Sequence, residues 1–293
     1  MRGSSSFQGT KINPTRFHRS QIKFYLLLIP ISIFMLLPVM FVISNAFKPI
    51  DELQRFPPTF IVERPSLNNF RYIMQVASGT GVPMSRFLLN TVAVTAVTLV
   101  ATILITGMTA YALSKKKFRA KEWLFKVNQA ALMFVPAAVG LPRYLVIINS
   151  GLNNNFMAHI VPFLAMPVGL FLVKQFVDTQ VPDSLLEAAR IDGAGEIKLM
   201  YKVVFPLIKP ALATVMIITF QAVWGAVEPS TMFIEDDTLR TFAFYLGSLT
   251  AGGAPMMAGV GAAAGMIMFL PNLIIFIALQ SRVMSTMSHS GIK

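Results

Sequence analysis

Long apolar stretches dominate this sequence and restrict what it can fold into. About 20 residues of α-helix are needed to cross the roughly 30 Å hydrocarbon core of a bilayer. Only 13% of the chain is charged, whereas soluble domains average about 25%. The sequence therefore predicts an all-α polytopic membrane protein with six transmembrane helices. The six stretches that support this prediction are residues 24–47, 87–113, 123–150, 159–177, 207–227 and 258–283.

The distribution of charge predicts the orientation of these helices. The formal net charge is +12, and four regions together account for it: the tail of residues 1–23, the region 114–126, the loop 178–206 with its flanks, and the C-terminal end, which comprises Arg282 and the tail of residues 284–293. The remaining segments sum to zero. Because Lys and Arg concentrate in cytoplasmic loops, both termini are expected in the cytoplasm. Residues 48–86 are then expected on the opposite, periplasmic side.

The first apolar stretch has two interpretations. A basic region precedes it, as in a signal peptide, but a signal core has about 7–15 apolar residues and is followed by a small-residue cleavage site. This stretch is longer and lacks such a site, so a retained signal anchor is expected. The chain has no cysteine, which excludes disulfides, thiolate metal sites and cysteine nucleophiles.

The polar loop before the fifth stretch predicts two short helices around a turn. Asp183 or Ser184 is expected to cap the first helix, with Ser184 and Glu187 at capping-box spacing. Gly193 is expected to end it, because glycine readily adopts the left-handed conformation. The second helix is expected from about Glu196 to Val204.

This loop resembles the EAA loop of ABC importer permeases. The matching residues are Glu187-Ala188-Ala189, then Gly193, then the segment that ends at Phe205-Pro206. Val203 and Phe205 stand where the family usually has Ile and Leu. In that family the loop is a coupling helix that docks on a cytoplasmic ATPase. The resemblance assigns coupling to Glu187, Ala188, Ala189, Arg190, Asp192, Gly193, Ala194 and Pro206.

The resemblance continues along the chain, whose sequence is similar to that of the maltose-type, carbohydrate-transporting permeases. It implies a type I ABC importer permease fold with a core of five helices at residues 87–283, in a bacterial inner membrane. The matching motifs are Phe56-Pro57-Pro58, Leu67-Asn68-Asn69-Phe70, Asn90-Thr91, Ala110-Tyr111-Ala112-Leu113 and the pair Pro136 and Pro142.

The resemblance also implies partners. No G-x4-G-K-[ST] motif is present, so nothing in the sequence predicts a nucleotide phosphate site. No cofactor or metal is expected on this chain, and ATP and Mg are expected on two separate ATPase subunits. A second homologous permease subunit, an extracytoplasmic solute-binding protein and an oligosaccharide substrate are expected as well. Residues 48–86 and 228–257 are expected to meet the binding protein, and no nucleic acid is expected.

Polar residues inside the apolar stretches are candidates for the substrate pathway, since charge in a membrane is costly and usually functional. Arg143, with Tyr144 and Asn149, is the first group. If Arg143 contacts the cargo, the cargo is acidic, as in alginate-type uronate oligosaccharides. The alternative is that Arg143 extends to the interface or pairs with an acid of the partner permease. Gln221 and Trp224 are further candidates, and the alternative for Trp224 is an aromatic-belt residue.

Asn90, Asn149 and Asn272 are expected to bond between helices, and His159 is expected to be a satisfied boundary residue. Three other functions compete with the importer subunit. A secondary transporter would be expected to carry intramembrane acids, and the first, second, fourth and sixth stretches contain none. A membrane enzyme would need further metal-binding acids downstream of Asp192-Gly193. The third rival is an ABC permease for a non-sugar solute.

Overall fold

A computed structural model describes residues 21–79, 81–250 and 255–290 of the chain. The regular structure within these residues is entirely helical, in agreement with the prediction. Most of the predicted N-terminal tail and the last three residues lie outside the described ranges. The helices of the first half are α1 (Ile22–Phe47), α2 (Ile50–Leu53), α3 (Asn68–Gly79), α4 (Met84–Lys115), α5 (Lys121–Ala131), α6 (Pro136–Asn149), α7 (Val161–Leu164) and α8 (Pro167–Gln180).

The second half begins with a pair of short helices and ends with the longest one. A π-helical turn, Met200–Val204, joins the second of these short helices to the next element. The helices are α9 (Asp183–Ile191), α10 (Glu196–Leu199), α11 (Phe205–Leu207), α12 (Lys209–Trp224), α13 (Glu228–Met232), α14 (Phe242–Thr250) and α15 (Pro255–Ser290).

Four described helices are long and apolar enough to cross a membrane. They correspond to the first, second, fifth and sixth predicted stretches. A fifth crossing results if Phe156–Leu164 and Pro167–Gln180 cross together, with a bend of 44° between them. The bend follows from Pro167 at the start of α8, because a proline disfavours helical conformation in the residue before it. The four helices are Ile22–Phe47, Met84–Lys115, Lys209–Met232 and Met257–Gln280.

The third predicted stretch, residues 123–150, is not one continuous helix. It is interrupted at residues 132–135, where Val135 is extended at φ −76° and ψ 131°. Pro136 follows as the first residue of α6. Proline has no N–H to donate to the preceding turn and pushes the residue before it out of the helical region. The 14 residues of α6 span about 21 Å at 1.5 Å per residue, less than the bilayer core.

The described chain forms two compact units. The first contains α1, α2, the loop that follows as far as residue 70, and α15 up to residue 266. Its loop folds onto the end of α1, where the buried Asn69 donates from Nδ2 to the carbonyls of Ala46 (3.0 Å) and Lys48 (2.9 Å). The carboxylate of Glu52, also buried, accepts the backbone N–H groups of residues 63 and 64.

The second unit, residues 71–250 with the rest of α15, is built around helices α4, α8 and α12. These three helices pack against one another, and their apolar faces enclose the main core. The segment between α8 and α12 contributes to the same core, so it is packed against the helices at one end of the unit. The core residues are Ala110, Tyr111, Val173, Val177, Val181, Leu186, Leu199, Val204, Ile208, Ala211, Leu212 and Val215.

Candidate functional site

Helices α9 and α10 form a hairpin, residues 183–199, that is fixed to the main core by one leucine from each helix. The side chains of Leu186 and Leu199 are 2% and 0% exposed, and both belong to the core that α4, α8 and α12 enclose. Burying a leucine contributes roughly 1.5–3 kcal/mol. A short hairpin that would be marginal in water is therefore held as part of the membrane unit. We call it the coupling hairpin, after the role that the resemblance of its sequence predicts.

The turn of the coupling hairpin is closed by two characteristic hydrogen bonds. The N–H of Ala194 donates to the carbonyl of Ala189 at 2.9 Å, and the N–H of Gly193 donates to that of Arg190 at 3.0 Å. This pairing is the Schellman motif, which requires a left-handed residue after the helix. Gly193 has φ +76°, so the prediction that this glycine ends the helix is confirmed. Asp192 is the C-cap residue of α9, so the helix ends at the Asp192-Gly193 pair, as the sequence predicts.

The predicted capping box is wrong. Helix α9 begins at Asp183, its N-cap is Pro182, and no side chain caps it. Ser184 therefore lies inside the first turn, so its hydroxyl is not placed to accept a hydrogen bond from the N–H groups at the start of the helix. Asp183 instead forms an ion pair with Lys115 at the end of α4, 2.9 Å between Nζ and Oδ1. This contact is tertiary, and the local sequence pattern could not reveal it.

The outer face of the coupling hairpin is apolar and exposed. Ile191 and Ile197 are 87% and 74% exposed, and Glu187 and Ala188 are exposed beside them. An exposed apolar patch on a polar loop is typical of a docking surface for a protein partner. An open concavity of about 640 Å³ adjoins it, lined by Gly195, Glu196, Ile197, Lys198, Tyr201 and Lys202.

Glu196 links the coupling hairpin to α4, a role that the sequence reasoning missed. Its carboxylate accepts from the hydroxyl of Tyr111 at 2.9 Å and pairs with Lys116 at 2.5 Å and with Arg190 at 3.5 Å. The hydrogen bond from Lys116 is the main reason that the pKa of Glu196 lies below its usual range. The only signal in the sequence is that Tyr111 lies four residues before a run of lysines that begins at Lys115.

The end of the EAA segment packs against α4 through a close contact. The ring of Phe205 lies over Gly107, so that a Cβ at residue 107 would be 2.7 Å from Phe205 Cε1 and 2.9 Å from Cζ. A phenylalanine at the position where the family usually has leucine is thus matched by a glycine on the facing helix. Pro206 lies in α11, directly after the π-helical turn.

Arg143 on α6 forms an ion pair with Glu228 of the same chain, at the start of α13. The Arg143 side chain is 33% exposed and that of Glu228 is 43% exposed. Sequence reasoning allowed for a partner subunit's acid but not for this one. The charge of Arg143 is therefore compensated inside the chain, although its buried Nε has no hydrogen-bond partner among the described residues.

The other predicted pathway residues lie on α6 and α12. The ring of Tyr144 stacks on Phe233, with 5.9 Å between centroids, and Asn149 is exposed at the end of α6. Gln221 is exposed on α12. Trp224 is only 7% exposed, and its ring stacks on Phe220 at 5.3 Å. Trp224 thus presents no open aromatic face for a sugar.

A segment of residues 233–241 is held on the unit by the polar side chains of Asn90 and His159. Asn90 donates to the carbonyls of Thr238 (2.8 Å) and Arg240 (2.9 Å), and His159 hydrogen-bonds the carbonyl of Leu239 at 3.1 Å. His159 is therefore a satisfied buried residue, as expected. Asn90 fixes a loop rather than a neighbouring helix, and Asn272 bonds the carbonyl of Met268 in its own helix. The prediction of helix-to-helix bonds by these two asparagines is wrong.

Comparison with known proteins identifies close likenesses along most of the chain. The melibiose/raffinose/stachyose import permease protein MelC of Bacillus subtilis (strain 168) is 29% identical over 230 residues, covering 78% of this chain and 81% of MelC. The sulfoquinovosyl glycerol transport system permease protein SmoH of Agrobacterium fabrum (strain C58 / ATCC 33970) is 28% identical over 260 residues, covering 88% and 89%.

The fold is similar to that of a chain in the crystal structure of a bacterial ABC transporter involved in the import of the acidic polysaccharide alginate. The TM-score is 0.76 at 20% identity, over 92% of this chain and 99% of that one. A likeness at this level of identity establishes the fold alone. The family model for the binding-protein-dependent transport system inner membrane component matches residues 17–283. This chain belongs to that family of membrane permease subunits.

Proposed function

We propose that this chain is one of two different permease subunits of an ATP-driven importer that takes up oligosaccharides from an extracytoplasmic solute-binding protein. Two ATPase subunits, which bind ATP and Mg, would supply the energy, and this chain would bind no cofactor itself. The coupling hairpin would carry the energy of hydrolysis into the membrane unit. The proposal fits a bacterial inner membrane, with six crossings and both termini in the cytoplasm.

One observation supports this proposal most directly, namely the construction of the coupling hairpin. Its inner face is fixed in the same core that α4, α8 and α12 share, while Ile191 and Ile197 project outwards. A force applied to the outer face would reach three helices without an intervening flexible linker. Glu187, Ala188, Ala189, Arg190, Asp192, Gly193, Ala194 and Pro206 are the residues proposed to form or shape this contact.

The six-crossing topology requires the interrupted segment α5–α6 to cross the membrane as a broken span. An interruption at membrane depth is tolerated where it is covered by protein or lines a cavity. The break at residues 132–135 would then border the pathway that the two permease subunits enclose. Arg143 and Gln221 remain the best pathway candidates on this chain, since both have exposed surface that a substrate can reach.

Oligosaccharide is the proposed cargo because relatives such as MelC carry names of oligosaccharide import permeases. An acidic cargo has less support, since the charge of Arg143 is already compensated by Glu228. An importer of a different small solute is the second candidate, supported by the similar sn-glycerol-3-phosphate transport system permease UgpE of Yersinia pestis (28% identical over 235 residues, 79% of this chain and 83% of UgpE).

The test compares Gly193→Val with Gly195→Val in the complete transporter, purified through a tag on this chain and reconstituted in liposomes. Both changes add the same side chain within one turn, and a Cβ at either position meets nothing within 4 Å. Residue 193 is left-handed, which a β-branched residue avoids, whereas residue 195 is extended at φ −67° and ψ 163°.

We expect Gly193→Val to lower the uptake per ATP hydrolysed and to weaken stimulation of the ATPase by loaded binding protein. Gly195→Val should resemble the unmodified transporter. An ATPase subunit should also copurify with the tagged chain. Copurification of this chain without any ATPase, or an unchanged ratio of uptake to hydrolysis in Gly193→Val, would contradict the proposal.

A further inference from the structure

The loop that follows α1 exposes apolar side chains at residues 56–61, a segment that we call the apolar tip. Phe56, Phe60 and Ile61 are 95%, 58% and 80% exposed, with Pro57 and Pro58 between them. Three large apolar side chains exposed side by side on a polar segment are unusual for a surface in water. The contacts of the apolar tip indicate whether it lies in water or in lipid.

The apolar tip folds back along α1 instead of extending away from it. The ring of Phe60 contacts that of Phe41 edge to face, 5.4 Å between centroids. The hydroxyl of Ser44 donates to the carbonyl of Phe60. At 1.5 Å per residue, Ser44 and Phe41 lie about 4.5 and 9 Å below Phe47, the last residue of α1. The tip is thus level with the last two turns of this helix.

The length of α1 shows how deep in the bilayer the apolar tip lies. The charge-free run of residues 24–47 is about 36 Å long as helix, some 6 Å longer than the roughly 30 Å hydrocarbon core. When the helix is centred in the bilayer, about 3 Å project at each end. Phe41 then lies about 6 Å inside the hydrocarbon boundary, and Ser44 lies close to it. Phe60, at the same level, reaches the interface between headgroups and acyl chains.

Part of the backbone of the apolar tip is paired within the protein and needs no hydrogen bonds from water. Three successive carbonyls accept hydrogen bonds from side chains: that of Thr59 from Lys48 Nζ, that of Phe60 from Ser44, and that of Ile61 from Thr59 Oγ1 at 3.4 Å. The two prolines have no N–H that would need a partner. Backbone groups that lose contact with water must be paired in this way, whereas a loop in water needs no such arrangement.

Lys48 is the centre of this arrangement. It is 2% exposed, and its ammonium group also donates to Asn45 Oδ1 at 3.0 Å and lies 5.6 Å from the centre of the Phe41 ring. A lysine is seldom buried so completely, and here its three contacts fasten the tip to α1. The charges beside the tip are neutralised locally, since Arg55 pairs with Glu63 and Arg64 with Asp51.

We propose that the apolar tip is an interfacial anchor that inserts Phe56, Phe60 and Ile61 into the outer leaflet of the membrane beside α1. This requires that α1 spans the membrane with its C-terminal end on the outer side, and it holds for any cargo. The tip would fix the height and tilt of α1, and it would not contact the solute-binding protein. Because its neighbouring charges cancel, insertion would depend on apolar contact with lipid rather than on anionic headgroups.

The absence of cysteine from the chain allows a direct test by spin labelling. Ile61→Cys is labelled with a nitroxide in the complete transporter, with any cysteines of the other subunits replaced, and reconstituted in phospholipid nanodiscs. Collision with oxygen, which concentrates in lipid, is compared with collision with a water-soluble nickel chelate. Gln54→Cys, on the exposed polar side of the same loop, is the control for water. Leu36→Cys, 54% exposed in the middle of α1, is the control for lipid.

We expect the label at residue 61 to collide with oxygen far more than with nickel, as at residue 36 and opposite to residue 54. The result should be the same in zwitterionic and in anionic lipid. Strong collision with nickel would place the tip in water and overturn the proposal. Weak collision with both reagents would mean that protein covers the tip, either the second permease or the binding protein, and would overturn it equally. Substrate-stimulated ATPase activity, measured on each labelled sample, confirms that the labelled transporter is intact.

Discussion

The contact between Gly107 and Phe205 predicts a specific pattern of rescue between two helices. In Gly107→Ala the new methyl carbon would lie 2.7 Å from Phe205 Cε1 and 2.9 Å from Cζ, whereas carbon atoms prefer about 3.5–4.0 Å. To restore this separation, the ring or one of the helices must move by roughly 1 Å. Overpacking of this kind costs typically 1–3 kcal/mol.

Phe205→Leu removes the far end of the ring, which is the part that meets the methyl group. On its own it leaves a small cavity and is expected to cost about 1 kcal/mol. Combined with Gly107→Ala, the methyl group fills part of that cavity, so the double variant should be about as stable as Phe205→Leu alone. The coupling energy in the double-mutant cycle is then about 1–3 kcal/mol, which is within the range for two residues in contact.

The assay is the thermal inactivation of the purified transporter, scored by ATPase activity, at matched heating times for all four forms. Gly140→Ala is the control, since Gly140 lies within α6 and a Cβ there meets nothing within 4 Å. It should be neutral or slightly stabilising. Strictly additive effects, with the double variant less stable than either single variant, would refute the account of this contact.

Three further predictions concern the coupling hairpin and the outer ion pair. Glu196→Gln removes the charge that joins Lys116 to the hairpin, and we expect reduced uptake per ATP hydrolysed in proteoliposomes, with Asp178→Asn in an ion pair confined to α8 as an unaffected control. Because the pKa of Glu196 is lowered in the fold, its stabilising effect is present above the usual carboxyl pKa and is lost as pH falls through the lowered value. Glu196→Gln should therefore flatten the acid side of the stability profile. Leu199→Ala, in a fully buried site, should cost about 2–5 kcal/mol in the same inactivation assay. If the two charges serve only to neutralise each other, adding Glu228→Met should restore the transport rate that Arg143→Met lowers. Failure of this rescue would assign Arg143 a contact with the cargo.

The sequence predicts well those features that depend on local chemistry. The apolar stretches predict the positions of α1, α4, α12 and α15, because hydrophobic length alone specifies a membrane span. Gly193 predicts the hairpin turn, because few other residues adopt its conformation. These signals lie within a few residues of the feature that they predict.

The features that sequence reasoning misses depend on residues far apart in the chain. Glu196 meets Tyr111, 85 residues away, and Arg143 meets Glu228, also 85 residues away. No local pattern indicates either contact. The predicted capping box failed for a related reason, since Asp183 is engaged by Lys115 of another helix. The interruption at residues 132–135 could have been predicted from Pro136, if its effect on the preceding residue had outweighed the apolar length of the stretch.

The central claim is that the coupling hairpin docks on a separate ATPase subunit, and crosslinking from its outermost residue tests it most directly. Ile191, 87% exposed, is replaced by cysteine in this cysteine-free chain, labelled with a benzophenone maleimide and irradiated in the complete transporter. Gln54→Cys serves as the control. We predict that the ATPase subunit is the main adduct from residue 191 and is absent from residue 54. No ATPase adduct from residue 191, in a preparation that contains the ATPase and hydrolyses ATP, would contradict the account.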